Sequence, residues 1–219
     1  MKQLRLFLIA ALAGLASWLA HAQSADTPDA EEPSAELANA PDPRGLEVWG
    51  RIFEVFSHPR CANCHVGEDN RPLWSGSHYT IYGAGESVAE AVFHGMNVRG
   101  GEQRNGMPLV PCSTCHSTAN STQLHGPPGA PHWQLPPVSM QWAGRSSAQV
   151  CEQIKDPSRT GGRELDAIAD HISHDALVRW GWAPGPGREP APYSKDQLAA
   201  FILEWRDLGA ACPETEVQE

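Results

Sequence analysis

A mostly α fold with long loops is what this chain predicts, and three observations carry the prediction. Apolar residues recur at helical spacing in five stretches, two of those stretches carry a capping-box signal, and the alternating pattern of strands is weak throughout. Leu46, Trp49, Ile52, Phe53 and Phe56 share one helical face, with Asp42-Pro43 as a start and Pro59 as a stop. Ser87-x-x-Glu90 is a capping box ahead of Val88, Ala91 and Val92, and Gly95 closes that stretch. Ser146 to Lys155 places Val150, Cys151 and Ile154 on one side and ends before Pro157. Arg163 to Ile172 presents Leu165, Ile168, Ala169 and Ile172. The last helix opens at the box Ser194-x-x-Gln197, buries Leu198, Phe201, Ile202, Trp205 and Leu208, and stops at Gly209. Between these lie the breakers Pro127-Pro128-Gly129, Pro136-Pro137 and Pro184-Gly185-Pro186-Gly187.

Two five-residue copies carry the chemistry: Cys61-Ala62-Asn63-Cys64-His65 and Cys112-Ser113-Thr114-Cys115-His116. C-x-x-C-H is the attachment motif of c-type haem, in which two thiols become thioethers on one porphyrin and the adjacent imidazole faces the iron. With 6 Cys and 10 His among 219 residues, chance would give the pattern roughly 0.01 times per chain. Two covalent haems are therefore expected, held by Cys61, Cys64, Cys112 and Cys115, with His65 and His116 as proximal ligands. The competing four-thiolate zinc site fits poorly. The pairs stand 47 residues apart, against the usual 15 to 20 or so, and a His after each second Cys has no role there. A thioredoxin-type dithiol would follow a strand-like apolar run and open a helix, which neither copy does.

Only 46 residues separate His65 from Cys112, too few for a small domain between the sites. Residues 44–213 are accordingly expected to form one compact, cytochrome c-like diheme domain, with a tail over 214–219. Lys2 and Arg5, the apolar run Leu6 to Leu19 and the Ala20-His21-Ala22 site predict a signal peptide over 1–22, cleaved near Ala22, and hence export to the periplasm. The run of 14 residues is short for a bilayer span and no later stretch is long enough, so no transmembrane segment is expected after cleavage. Residues 23–43, rich in Ala, Pro and acid, read as a disordered leader. Loss of Lys2 and Arg5 takes the formal net charge from −10 to −12. Such a surface disfavours nucleic acid and favours encounter with a basic patch on a protein partner, or simply keeps an exported chain soluble.

Four cysteines go to the motifs, leaving Cys151 and Cys212. An even remainder in an exported protein predicts a disulfide; iron ligation by one of them is the alternative. The distal side of each iron decides between carrier and enzyme. His58 stands too near Cys61 to cross its own haem, His125 and His132 read as solvent-facing, and His174-Asp175 as a helix-end pair. Trp133, Trp142, Trp180 and Trp182 fall in loop-like segments where a ring can line a porphyrin, whereas Trp49 and Trp205 read as core.

From Phe56 to Pro213 the chain resembles exported diheme c-type cytochromes associated with isoquinoline oxidoreductase, a molybdenum hydroxylase. The residues that carry the likeness are HPRCANCH at 58–65, HGMNVRG at 94–100, CSTCH at 112–116, WQLPPVSMQW at 133–142, CEQIKDPSRTGG at 151–162, HDALVRWGWAPGPGREPAP at 174–192 and GAACP at 209–213; the segment from Glu68 to Val92, which includes His78, departs from the pattern. The resemblance implies His94 and Met140 as distal ligands, one to each iron with the pairing open, and His171 in reserve. It also implies a periplasmic electron carrier between a dehydrogenase, such as a molybdenum hydroxylase, and a respiratory-chain acceptor. The rival is an enzyme, a small diheme peroxidase or sulfur-compound dehydrogenase, with an open or Cys-ligated iron. A haem-based sensor is a third reading, and no signalling segment supports it.

Overall fold

Among the described residues four helices build the apolar core, and three of them begin on a side chain that satisfies their first N–H groups. The computed structural model describes residues 42–74, 92–124 and 126–214, which fall in one compact unit, Ala40–Glu219. The signal peptide, almost all of the leader, the Ser87 capping box, His78 and His125 lie outside the described residues.

Helix α1, Pro43–Phe56, starts with Pro43 at its first position and Asp42 as N-cap, whose carboxylate accepts from the Arg44 amide at 2.8 Å. It buries Val48, Trp49, Ile52, Val55 and Phe56. A one-turn helix, α2 at Pro59–Ala62, follows at once. Pro59 thus ends one helix and opens the next, with His58 between them as N-cap. Helices α3, Ser147–Ile154, and α5, Lys195–Asp207, both open on complete capping boxes, Ser146 with Gln149 and Ser194 with Gln197. Helix α4, Leu165–His174, lacks a side-chain cap and buries Ile168, Ala169 and Ile172.

Helix α5 packs on both α1 and α4, and α3 closes against α1. At the centre the Trp49 and Trp205 rings lie 4.9 Å apart. Both indoles are core residues as expected, and each N–H has an acceptor: Ser147 Oγ for Trp49 and the Ala211 carbonyl for Trp205, both at 2.8 Å. A disulfide joins Cys151, at the heart of the core, to Cys212, with Cα atoms 5.6 Å apart. It fixes the chain beyond α5 onto α3, as the even cysteine remainder predicts.

The loop-rich half holds two short antiparallel ladders. Strands β1, Leu73–Trp74, and β2, Val92–Phe93, pair as Leu73↔Phe93 and Trp74↔Val92. Strands β3, Gly106–Met107, and β4, Val110–Pro111, pair as Gly106↔Pro111 and Met107↔Val110. Val92 and Phe93 correct the helix expected to run to Gly95. Their main chain bonds across to β1, the His94 amide donates to the Pro72 carbonyl at 2.9 Å, and the Arg71 guanidinium lies 3.5 Å over the Phe93 ring. Cross-strand partners outweigh helical spacing here. Among the described residues no helix is long and apolar enough to cross a membrane.

Candidate functional site

The first motif is built on α2. The turn that winds Pro59–Ala62 carries Cys61 on the helix and brings Cys64 and His65 onto the next turn, through Cys64 N to Cys61 O and His65 N to Cys61 O. Arg60, largely buried beside it, donates to the Glu189 carbonyl at 2.7 Å and ties the motif to the 184–191 loop. The second motif sits on a 3₁₀ turn, Cys112–Thr114, directly after β4. There the same closing bond recurs, from the His116 amide to the Cys112 carbonyl. All four motif thiols are free.

What the two copies share is the setting of the imidazole. His65 Nδ1 lies 2.8 Å from the Met140 carbonyl, and His116 Nδ1 lies 2.7 Å from the Pro128 carbonyl. A carbonyl can only accept, so in each ring Nδ1 carries the proton and the Nε2 lone pair is left for a metal. Each ring is also stacked flat on an indole: His65 on Trp142 at 3.4 Å with planes 6° apart, and His116 on Trp133 at 4.4 Å and 5°. Trp133 and Trp142 are the two ends of the segment WQLPPVSMQW, so one strap braces both histidines. The Trp142 and Ala143 amides both return to the His65 carbonyl, at 2.9 and 3.0 Å.

Burial holds the first site in its neutral forms. It pushes the Cys61 thiol up to about 12 and Cys64 to about 11, with the Cys64 charge adding at Cys61 and the Cys112 charge adding at Cys64. It brings His65 down to about 3, which leaves that imidazole neutral. At the second site burial raises Cys112 and lowers His116 more mildly, and Cys115 is exposed.

Of the expected distal residues, His94 falls opposite the second motif. Its ring centre is 6.1 Å from that of His116. Two imidazoles sharing one metal ion through bonds of about 2.0–2.1 Å would have ring centres about 6 Å apart. His94 Nδ1 lies 3.1 Å from the Gly95 carbonyl, which again leaves Nε2 to ligate. The turn after it, Gly95–Asn97, is held in an unusual conformation, with Met96 at φ 60° and Asn97 at φ 52°. Positive φ at a non-glycine residue costs about 1–3 kcal/mol and is tolerated where the surroundings or a function demand it.

Met140 lies beside the first motif, but its carbonyl bonds His65 Nδ1, which sets its main chain on the side of the ring turned away from Nε2. His171 is half-buried on α4, 3.8 Å from an Asp175 oxygen, and close enough that its charge disfavours protonation of His65. His174 bonds Asp170 rather than Asp175, whose carboxylate instead caps the amides of Leu177 and Val178. His132 is exposed, as expected.

The surroundings suit a large, flat, apolar group. Around the second motif, Trp74, Phe93, Met96, Met107, Leu109 and Val110 are all exposed. Scattered exposed apolar residues are ordinary, but a group beside a metal-ligand motif marks a binding surface. Among the described residues no three His, Cys, Asp or Glu side chains converge as a ready-made metal cluster. The carbonyl-braced, Trp-stacked histidines and the 6.1 Å His94–His116 pair are what sequence reasoning missed. The carbonyl partners lie 12 and 75 residues away in the chain and the Trp142 partner of His65 is further still, beyond any local signal. Compared with protein-family models, with curated proteins and with solved structures, the chain matches none.

Proposed function

We propose that this chain is an exported diheme c-type electron carrier. The observation that carries the reading is the duplicated arrangement of C-x-x-C-H with the following imidazole fixed through Nδ1 to a main-chain carbonyl, which leaves Nε2 for an iron. Cys61 with Cys64 and Cys112 with Cys115 would hold two haems as thioethers, and His65 and His116 would be the proximal ligands. Bound haem supplies a one-electron couple, ferrous to ferric, at each centre. The chain's own part is to fix the imidazoles, to exclude water from the first centre and to set each potential by ligands and burial.

His94 is assigned to the iron of His116, on the 6.1 Å ring separation. For the iron of His65 we place His171 ahead of Met140, because the Met140 main chain stands behind the proximal ring. The disulfide occupies Cys151 and Cys212 and supports neither as an iron ligand, which weakens the Cys-ligated enzyme rival. The signal-like N-terminus supports a periplasmic setting, and the resemblance suggests a molybdenum hydroxylase as donor and a respiratory-chain component as acceptor. Expression with the cytochrome c maturation machinery tests the reading. Two haems per chain should survive acid-acetone extraction and denaturing electrophoresis, and two extractable haems, or zinc in their place, would sink it.

A further inference from the structure

Among the described residues two buried indole N–H groups have no acceptor. Trp142 Nε1 and Trp182 Nε1 are both shielded from solvent and without a hydrogen-bond partner. Such orphans are rare, because leaving a buried donor unsatisfied costs about 1–3 kcal/mol. The core indoles Trp49 and Trp205 do have acceptors. So the fold can satisfy indoles, and it leaves unsatisfied two that flank the first motif.

Their placement is shared. Trp142 is stacked between Phe56, 4.3 Å away, and the ring of His65. Trp182 ends the 3₁₀ segment Val178–Trp182, which packs on α2, the helix of Cys61, with Gly181 facing Arg60. Trp142 belongs to the apolar core, and Trp182, Cys61 and Met140 all pack against it. A third group brings positive charge to the same place. Arg104 is about nine-tenths buried and bonds the Pro136 carbonyl at 2.6 Å, the Val66 carbonyl at 3.1 Å and the Asn70 side chain. These use three of its five N–H donors, none of the partners is a carboxylate, and its charge is felt at both Cys64 and His65.

Two unsatisfied neutral donors and a buried guanidinium that hydrogen-bonds no carboxylate, though Asp69 lies near enough to act on it, are set against a motif for a cofactor that bears two carboxylates, and they have a common explanation. We propose that Trp142 Nε1–H and Trp182 Nε1–H donate to the propionate carboxylates of the haem at Cys61–His65, with Arg104 as their countercharge. Charge-assisted bonds to a carboxylate are the stronger kind, and donors on a propionate draw negative charge away from the iron. They therefore raise the potential of that centre. The inference rests on the reading of Cys61–His65 as a haem site.

The test is potentiometry with resonance Raman spectroscopy on the full-length, haem-loaded protein. Trp142→Phe and Trp182→Phe keep the ring and remove the donor. Each should lower the midpoint potential of one haem and shift its propionate bending band, with the second haem unmoved and two covalent haems retained. Trp205→Phe, whose N–H already serves Ala211, should move neither potential. A purely structural role would alter melting without shifting the propionate band. Two attached haems with unchanged potentials and bands would overturn the inference and leave the haem reading standing, whereas no covalent haem at Cys61 and Cys64 in the wild type would end both. Should the variants fail to fold, wild-type ferrous protein labelled with ¹⁵N-indole decides it. Contacts from the two indole protons to propionate methylenes are expected, and contacts to water alone would overturn it.

Discussion

The two motif copies have the same five-residue code and opposite surroundings. His65 and its thiols are set into the helical half, with Phe56, Trp142 and Met140 packed around them and on the main core. His116 and its thiols stand on a 3₁₀ turn in the loop half, among exposed Met107, Leu109 and Val110. The local rule, an imidazole braced by a carbonyl and an indole, is kept in both. What differs is how much of the wall the polypeptide builds. At the first site the helices supply it and burial pushes the Cys61 thiol up to about 12; at the second the cofactor itself would have to complete it.

That difference can be broken most forcefully at the thiols. Cys64→Ala and Cys115→Ala should each reduce covalent haem from two to one per chain. Only Cys64→Ala should also cost the helical core, read as lost far-UV ellipticity and a lower melting temperature; equal losses from both variants would mean the sites are not structurally unequal. The distal ligands sharpen the contrast next. His94→Ala should turn one haem high-spin and leave the other low-spin, seen in the near-infrared and by electron paramagnetic resonance. His171→Ala should open the other iron and Met140→Ala should not, and the reverse pair of results would return that position to Met140.

The disulfide probes the helical half alone. Cys151→Ser with Cys212→Ser opens a loop of 61 residues and should lower stability by about 4 kcal/mol on the chain-entropy account, without changing the spin state of either haem. Denaturant titration of the oxidised and mutant proteins measures it. The smallest effect is at His58, which caps α2 by accepting from the Arg60 amide at 3.2 Å. Burial and the Arg60 charge lower its pKa below the ordinary 6.5, so the folded state resists protonation. The unfolded chain then binds the proton first, and this contribution to stability is present above pH 6.5 and lost as pH falls from there through the lower folded value. His58→Asn, which keeps a cap, should remove that part of the acid sensitivity while changing stability at neutral pH by no more than about 1 kcal/mol.

The helices were legible because their signals are local. Asp42-Pro43, Ser146 with Gln149 and Ser194 with Gln197 each satisfy N–H groups within one turn, and all three caps form in the structure. The motif thiols and histidines were legible for the same reason. Val92 was misread because its partner, Trp74, lies across a ladder that no spacing rule encodes. The capping role of His58 was not legible, since Pro59 as the stop of one helix hides its second role as the start of the next. The roles of Trp133 and Trp142 could not be read at all. Both stood out as loop tryptophans, but their stacking on His116 and His65 depends on the chain returning to two separate motifs.

That returning strap has a consequence for distance. From Trp133 to Trp142 the chain passes through Pro136-Pro137, whose rings restrict its backbone, and its two ends are clamped to the two imidazoles. The separation of the two ring systems is therefore gauged by ten consecutive residues, with no hinge between domains to vary it. With haems bound at both motifs as proposed, tunnelling between them would decay steeply with separation, so such a gauge would hold their distance, and with it their exchange rate, within a narrow range.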